Sequence, residues 1–196
     1  MAWDSTPVRV VAWQRVDGAG HSLGRLESLA AGWRCHGVEV LAGPAELLSC
    51  WFRVELDQGW RTRAVVAGAV DGAGERTLTL SADEGRRWTV DGTHRPEIDG
   101  CLDVDVAATP LTNTFPIRRL GALAPGEQAT LSVAWVDVPD LRVVRVEQTY
   151  RRLPDTDGLP TWEYQDPQHG PFVLTVDRDG LAVSYEGFAR RVAARP

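Results

Sequence analysis

Hydrophobic and polar residues alternate with a period of two along most of this chain, and the alternation restarts about every ten to fifteen residues. In Val8–Arg15, Val8, Val10 and Ala12 oppose Arg9, Val11 and Trp13. Trp33–Val40, Leu48–Asp57, Arg61–Ala69, Glu75–Ser81 and Arg87–Asp91 repeat the pattern, and Ala129–Val136, Leu141–Arg151, Phe172–Asp177 and Leu181–Tyr185 resume it. Period two puts successive side chains on opposite faces of a strand. Six Asp-Gly steps, starting at Asp17, Asp71, Asp91, Asp99, Asp157 and Asp179, punctuate the runs. Asp-Gly readily takes the positive φ angles of tight hairpins, so the pattern predicts an antiparallel meander rather than a βαβ fold.

Three stretches are less regular. In His21–Ala31, Leu23, Leu26 and Ala30 could share a helical face, though Gly24 and Gly32 confine any helix to a few turns. Leu153–Gly170 is rich in Pro, Asp and Gly and reads as a surface loop around a short strand, Trp162–Gln165. Phe188–Ala194 fits a last strand or a frayed helix. No linker divides the chain, which predicts one domain over residues 1–196.

The stretch Asp99–Leu120, D-G-C-L-D-V-D-V-A-A-T-P-L-T-N-T-F-P-I-R-R-L, concentrates the chemistry. Cys101, Asp103 and Asp105 share one strand face, and Leu102, Val104 and Val106 the other. Carboxylates two residues apart on a strand lie about 7 Å from one another and want cations, a metal or water. Thr112, Asn113 and Thr114 are helix-capping residue types and Pro116 suits a first turn, so a short helix is predicted at about 112–120, carrying Arg118 and Arg119. An Asp-Asp strand feeding an Arg-Arg helix suggests an internal network that neutralises itself.

Composition narrows the functional classes. The net charge is −6 and every basic residue is Arg, since the chain contains no Lys. Amine nucleophiles are therefore excluded, and the acidic balance argues against nucleic acid or an anionic membrane surface as partner. No apolar run approaches the ~20 residues needed to span a bilayer, and the N-terminus lacks the basic and apolar regions of a signal peptide. Cys35, Cys50 and Cys101 fit reduced thiols in a cytoplasm better than a disulfide scaffold. The four histidines are scattered without zinc spacing, so no metal or other cofactor is expected. There is no G-x-S-x-G elbow, dinucleotide fingerprint or Walker loop.

D-x-D-V-x-x-T-P-x-T-N-T-x-P-I-R-R-L resembles the signature of the bacterial putative glycolipid-binding family. D-x-x-W-R-T-R at Asp57–Arg63, Trp88 before Asp91-Gly92, Gln148-Thr149-Tyr150 and the D-x-D-G-L core of Val176–Tyr185 match in order. The resemblance implies a mainly β fold, a single-domain antiparallel β-roll wrapped around a short central helix. It also favours strand over helix for His21–Ala31. It implies a glycolipid or other lipid-like small molecule as partner.

Three functions remain open. The first expectation is non-catalytic binding of such a ligand between sheet and helix, with Asp103, Asp105, Arg118 and Arg119 at its polar end. Trp60, Arg63, Gln148 and Tyr150 are further candidates. Trp60 could stack on a sugar or anchor the core. Gln148 and Tyr150 matter only if their strand face looks inward. Alternatively, Asp103 and Asp105 are the acid and base of a hydrolase of a glycolipid, ester or glycoside, or the helix fills the roll and leaves a structural or interaction domain.

Overall fold

The computed structural model describes residues 8–44, 46–107 and 109–195. Eight strands come first: β1 (Val8–Arg15), β2 (Gly20–Leu29), β3 (Gly32–Ala42), β4 (Leu47–Leu56), β5 (Thr62–Asp71), β6 (Gly74–Ala82), β7 (Trp88–Val90) and β8 (Thr93–His94). A 3-10 turn at Pro96–Ile98 leads to β9 (Asp103–Val106) and the helix α1 (Thr114–Arg119). Then follow β10 (Gln128–Val136), β11 (Val143–Thr156), β12 (Leu159–Gln165), β13 (Phe172–Val176), β14 (Ala182–Tyr185) and β15 (Ala189–Arg195). No described helix is long and apolar enough to cross a membrane.

All fifteen strands belong to one sheet, ordered β8-β7-β6-β5-β4-β3-β2-β1-β15-β14-β13-β12-β11-β10-β9. Two antiparallel meanders meet where β15 pairs with β1, and the parallel pair β9–β10 ends the far side. The spiral returns on itself where β9 comes back to β5. Thr62 donates its backbone N–H to Leu102 O at 2.9 Å and accepts from the Val104 N–H through its hydroxyl at 3.2 Å. The Arg86 guanidinium donates to the carbonyls of Thr62 at 2.7 Å and Cys101 at 2.8 Å across the same seam. These bonds satisfy an edge that meets only the first residue of β5 and has no ladder of its own there.

The helix lies between two apolar clusters. Phe115 belongs to the cluster that holds Trp13, Phe52, Trp88 and Leu111, and Ile117 to the one that holds Tyr150, Trp162, Tyr164 and Leu174. Both faces of β9 are consequently occupied: Val104 and Val106 are buried in the first cluster, and Asp103 on the other face is 1% exposed.

Five of the six Asp-Gly steps join neighbouring strands, and Asp91-Gly92 and Asp157-Gly158 hold both residues at positive φ. Asp99-Gly100 lies in the seam instead, with the Asp99 carboxylate accepting from the Trp88 N–H at 2.7 Å. His21–Leu29 is strand, as the resemblance implied for His21–Ala31, with Ala30 and Ala31 in the turn to β3, and the last segment is strand too. The expected loop at Leu153–Gly170 is largely a hairpin. β11 runs on to Thr156 and β12 starts at Leu159, because the Asp157-Gly158 turn is anchored by buried Trp162 and Tyr164.

Gly32 shows how tightly the first meander is wound. Its φ is +145°, and a Cβ there would sit 2.0 Å from the Leu56 carbonyl oxygen. Gly32→Ala is expected to cost at least ~2 kcal/mol through strain and clash together. Denaturant melts check this; an unchanged midpoint would contradict the geometry.

Candidate functional site

The two carboxylates of β9 have different partners. Asp103 makes a two-pronged ion pair with Arg119, Nη1 to Oδ1 at 2.7 Å and Nη2 to Oδ2 at 2.5 Å. Arg119 also donates to the Trp60 carbonyl at 3.3 Å. Trp60 sits at φ +63°, in a turn capped by the Asp57 carboxylate, which accepts from the N–H groups of Gly59 and Arg61. Its ring stacks on Trp33 at 4.4 Å.

Consecutive helical residues point about 100° apart, so Arg118 does not follow Arg119 to the acids. It lies over Trp60, 4.4 Å from the ring centre, and donates to Asp179 O at 3.2 Å. Asp103, Arg118, Arg119 and Trp60 thus form a buried clip between helix, strand and turn. Arg63 is exposed and stands outside it.

Asp105, on the same strand face, has other partners. It is half-buried and accepts from the Thr112 hydroxyl at 2.5 Å and from Gln148 Nε2 at 2.6 Å. The Gln148 amide also donates to the Tyr164 hydroxyl at 3.0 Å, which in turn donates to Asp166 Oδ2 at 3.0 Å. Behind them Asn113 Nδ2 donates to the Tyr150 hydroxyl at 2.9 Å, and Tyr150 donates to Gln148 Oε1 at 3.3 Å. Each donor in this chain has its acceptor, and the direction runs from the helix start to two carboxylates. Gln148 and Tyr150, on the inward face of β11, are 1% and 0% exposed.

The residue types read as helix caps are therefore engaged otherwise. Thr112 holds Asp105, and Asn113 precedes the helix without a side-chain capping bond, its amide turned to Tyr150.

A cavity of about 380 Å³ opens beside this chain. Asp105 and Asn113 line its floor, Tyr164, Phe172, Tyr185 and Phe188 its aromatic wall, and Arg15, Thr109, Asp166 and His169 its remaining polar surface. A second cavity of about 360 Å³ shares Trp135, Asp166 and His169 with the first and continues over Val144, Val146 and Pro167. Of the eight residues expected at the site, Asp105 lines the first cavity and Gln148 and Tyr150 stand directly behind it. Asp166, His169, Tyr164 and Arg15 were not among them. Asp166 and His169 fell in the presumed loop, Tyr164 lay in the short strand expected within it, and nothing local in the sequence ties Arg15 to them.

Burial pushes the Asp105 carboxyl up to about 6, against the opposing hydrogen bonds from Thr112 and Gln148. Asp166 goes the other way. Burial would raise it, but the N–H groups of Gln168 and His169, the Tyr164 hydroxyl and the His169 ring hold it below the usual carboxylate range. A third acid, Glu39 on β3, is 2% exposed, and burial raises it to about 8 despite Thr109, Ser22 and Arg15 nearby. Strand parity could have flagged it, since Glu39 shares the inward face with Cys35 and Leu41.

Comparisons with known proteins can now be set beside this geometry. The family described as "Putative glycolipid-binding" matches residues 10–191. The chain belongs to this family. Within the putative glycolipid-binding family's matched span lie both cavities, the clip and the hydrogen-bond chain. The fold also resembles the crystal structure of a DUF1089 family protein from Pseudomonas aeruginosa, at a TM-score of 0.74 and 30% identity, over 87% of this chain and 92% of that one. Comparison with curated proteins gives no match.

Glu39 supplies a pH test. Its folded-state pKa of about 8 exceeds the ordinary 4.5. The folded state therefore holds its proton more tightly than the unfolded chain. The associated stability is complete below about 4.5 and is lost as pH rises toward 8. Relative to Glu39→Gln, the wild type is expected to lose on the order of 3–5 kcal/mol between those limits. Urea melts of both proteins at several pH values measure it; parallel pH curves would contradict the assignment.

Proposed function

We propose that the protein is a non-catalytic, single-domain binding module for a lipid-like or glycolipid-like molecule, held in the cavity between the sheet and the start of α1. The observation that carries this reading is the lining itself. Polar groups at the Asp105 floor face an aromatic wall, and the adjoining cavity is flanked by Trp135, Val144 and Val146. Sites for small amphiphiles combine a few oriented polar groups with mainly apolar walls. Aromatic faces stack on the C–H face of a sugar while carboxylates accept from its hydroxyls. The family's description points the same way. The three cysteines are unpaired and buried, which accords with a cytoplasmic setting.

Asp105 is the ligand-contacting member of the expected set. Gln148 and Tyr150 act by holding it. Asp103, Arg118, Arg119 and Trp60 serve by fixing α1 in place. A hydrolase using Asp103 and Asp105 gains no support from this arrangement, because Asp103 is buried in its pair with Arg119 and stands apart from the cavity lining. A proton donor or acceptor must reach the reacting atom.

Ala107 lines the cavity and is only partly buried, so Ala107→Trp should occupy ligand space at little cost to the core. Native mass spectrometry is expected to find a lipid-sized adduct on the wild type and a loss of at least ~90% of it in the variant, with the melting temperature within about 4 °C. Equal adduct on both proteins would place the ligand elsewhere.

A further inference from the structure

Charges around the first cavity do not balance. Asp105 and Asp166 line it, whereas Glu39, beyond the lining residue Thr109, keeps its proton to about pH 8 and adds no charge at neutral pH. On the positive side stand Arg15 and His169. Arg15 is already engaged by Asp17 at 2.7 Å and Glu46 at 3.3 Å. His169 sits 3.2 Å from Asp166. The hydrogen bonds to Asp105 come from neutral groups, a hydroxyl and an amide, while Arg119, the nearby guanidinium, is spent on Asp103. A partly desolvated carboxylate held by neutral dipoles is costly until a proton or cation joins it.

The wall opposite adds a second, independent attraction for positive charge. Tyr185 meets Tyr164 at 6.1 Å, Phe172 at 5.7 Å and Phe188 at 5.0 Å, each edge-to-face, and all four rings line the cavity. Ring faces carry negative quadrupole density and attract ammonium groups. A phosphate or sulfate head would meet two carboxylates and the same ring faces, and would be repelled. A neutral sugar would stack and donate hydroxyls, yet leave the charge uncompensated. Among the described residues no group of three or more His, Cys, Asp and Glu is arranged to hold a metal ion.

We propose that the bound molecule carries a positive head: a primary ammonium, as on an amino sugar, seated between Asp105 and Asp166 against Tyr164 and Tyr185. Its apolar part runs past Trp135 toward Val144 and Val146. This rests on the cavity being the lipid-type site proposed above, and names the chemical class of its ligand. The head group is thus selected by charge, and the tail by the neighbouring cavity.

The test uses three amphiphiles with one dodecyl tail, below their micelle concentrations: a glucosamine-headed glycoside, the matching neutral glucoside and dodecyl phosphate. Calorimetric titration is run on the wild type, Asp105→Asn, Asp166→Asn and Asp140→Asn. Asp140 is exposed and lines neither cavity, so it controls for the protein's overall negative charge. The glucosamine head is expected to bind at least ~10-fold tighter than the glucoside, and dodecyl phosphate weakest. Asp105→Asn should erase most of that preference, and Asp140→Asn should leave it intact. If Asp105→Asn does not fold, Asp166→Asn at the rim carries the same expectation in weaker form. Equal affinity for the two glycosides overturns the charged-head inference and leaves lipid binding standing. So does preference for the phosphate, or a preference that survives in both cavity variants. Absence of binding by all three overturns both.

Discussion

The buried ion pair between Asp103 and Arg119 is the interaction on which this structure most depends. Among the described residues β9 is laddered to β10 on one side, and its other side meets only the first residue of β5, Thr62, with Arg86 donating across the seam. α1 is six residues long, too short to be stable by itself. The two-pronged pair joins these two weak elements. Arg119 reaches on to the Trp60 carbonyl, so turn, helix and strand are fixed together. Removing one member of a largely buried pair typically costs about 3–5 kcal/mol, because the other charge is stranded. Phe115 and Ile117 then bury opposite sides of the helix in the two halves of the core.

That anchoring has a chemical consequence two residues along. With α1 held, Thr112 and Asn113 stand where they can serve Asp105 and Tyr150. Asp103 and Asp105 share a strand face and a residue type but have opposite fates. The first is neutralised by a guanidinium; the second is met by neutral donors and opens to a cavity. Their separate environments follow from helical geometry: adjacent arginines diverge, so one reaches the strand and the other lies over Trp60 and Trp33. One strand therefore carries both a structural and a ligand-facing carboxylate.

Much of the sheet was legible in the sequence because period two and Asp-Gly turns are local signals. β1 spans the very residues its alternation marks out. β2 was legible through the family resemblance, since Leu23, Leu26 and Ala30 satisfy a helical period as well. The hairpin at Asp157-Gly158 was hidden by the proline and acid content around it, although its turn signal was present.

The site was half legible. Alternation put Asp103 and Asp105 on one face and left Gln148 and Tyr150 either inward or outward; the sheet's curl turned them inward. What alternation does not carry is which side chain meets which across distant strands. Thr112 and Asn113 looked like caps because hydroxyl and amide groups serve caps and networks equally well. Asp166 and His169 join the site through a turn whose placement depends on β12 and β13.

The central claim is that one desolvated pair secures the element on which the cavity is built, and a double-mutant cycle tests it most directly. Asp103→Asn, Arg119→Gln and the double variant would be compared with wild type by denaturant melts. Each single change is expected to be strongly destabilising and the double little worse than either, giving a coupling of about 3–5 kcal/mol. Additive losses, with coupling within ~0.5 kcal/mol of zero, would mean that the two side chains do not secure the helix and would contradict the account.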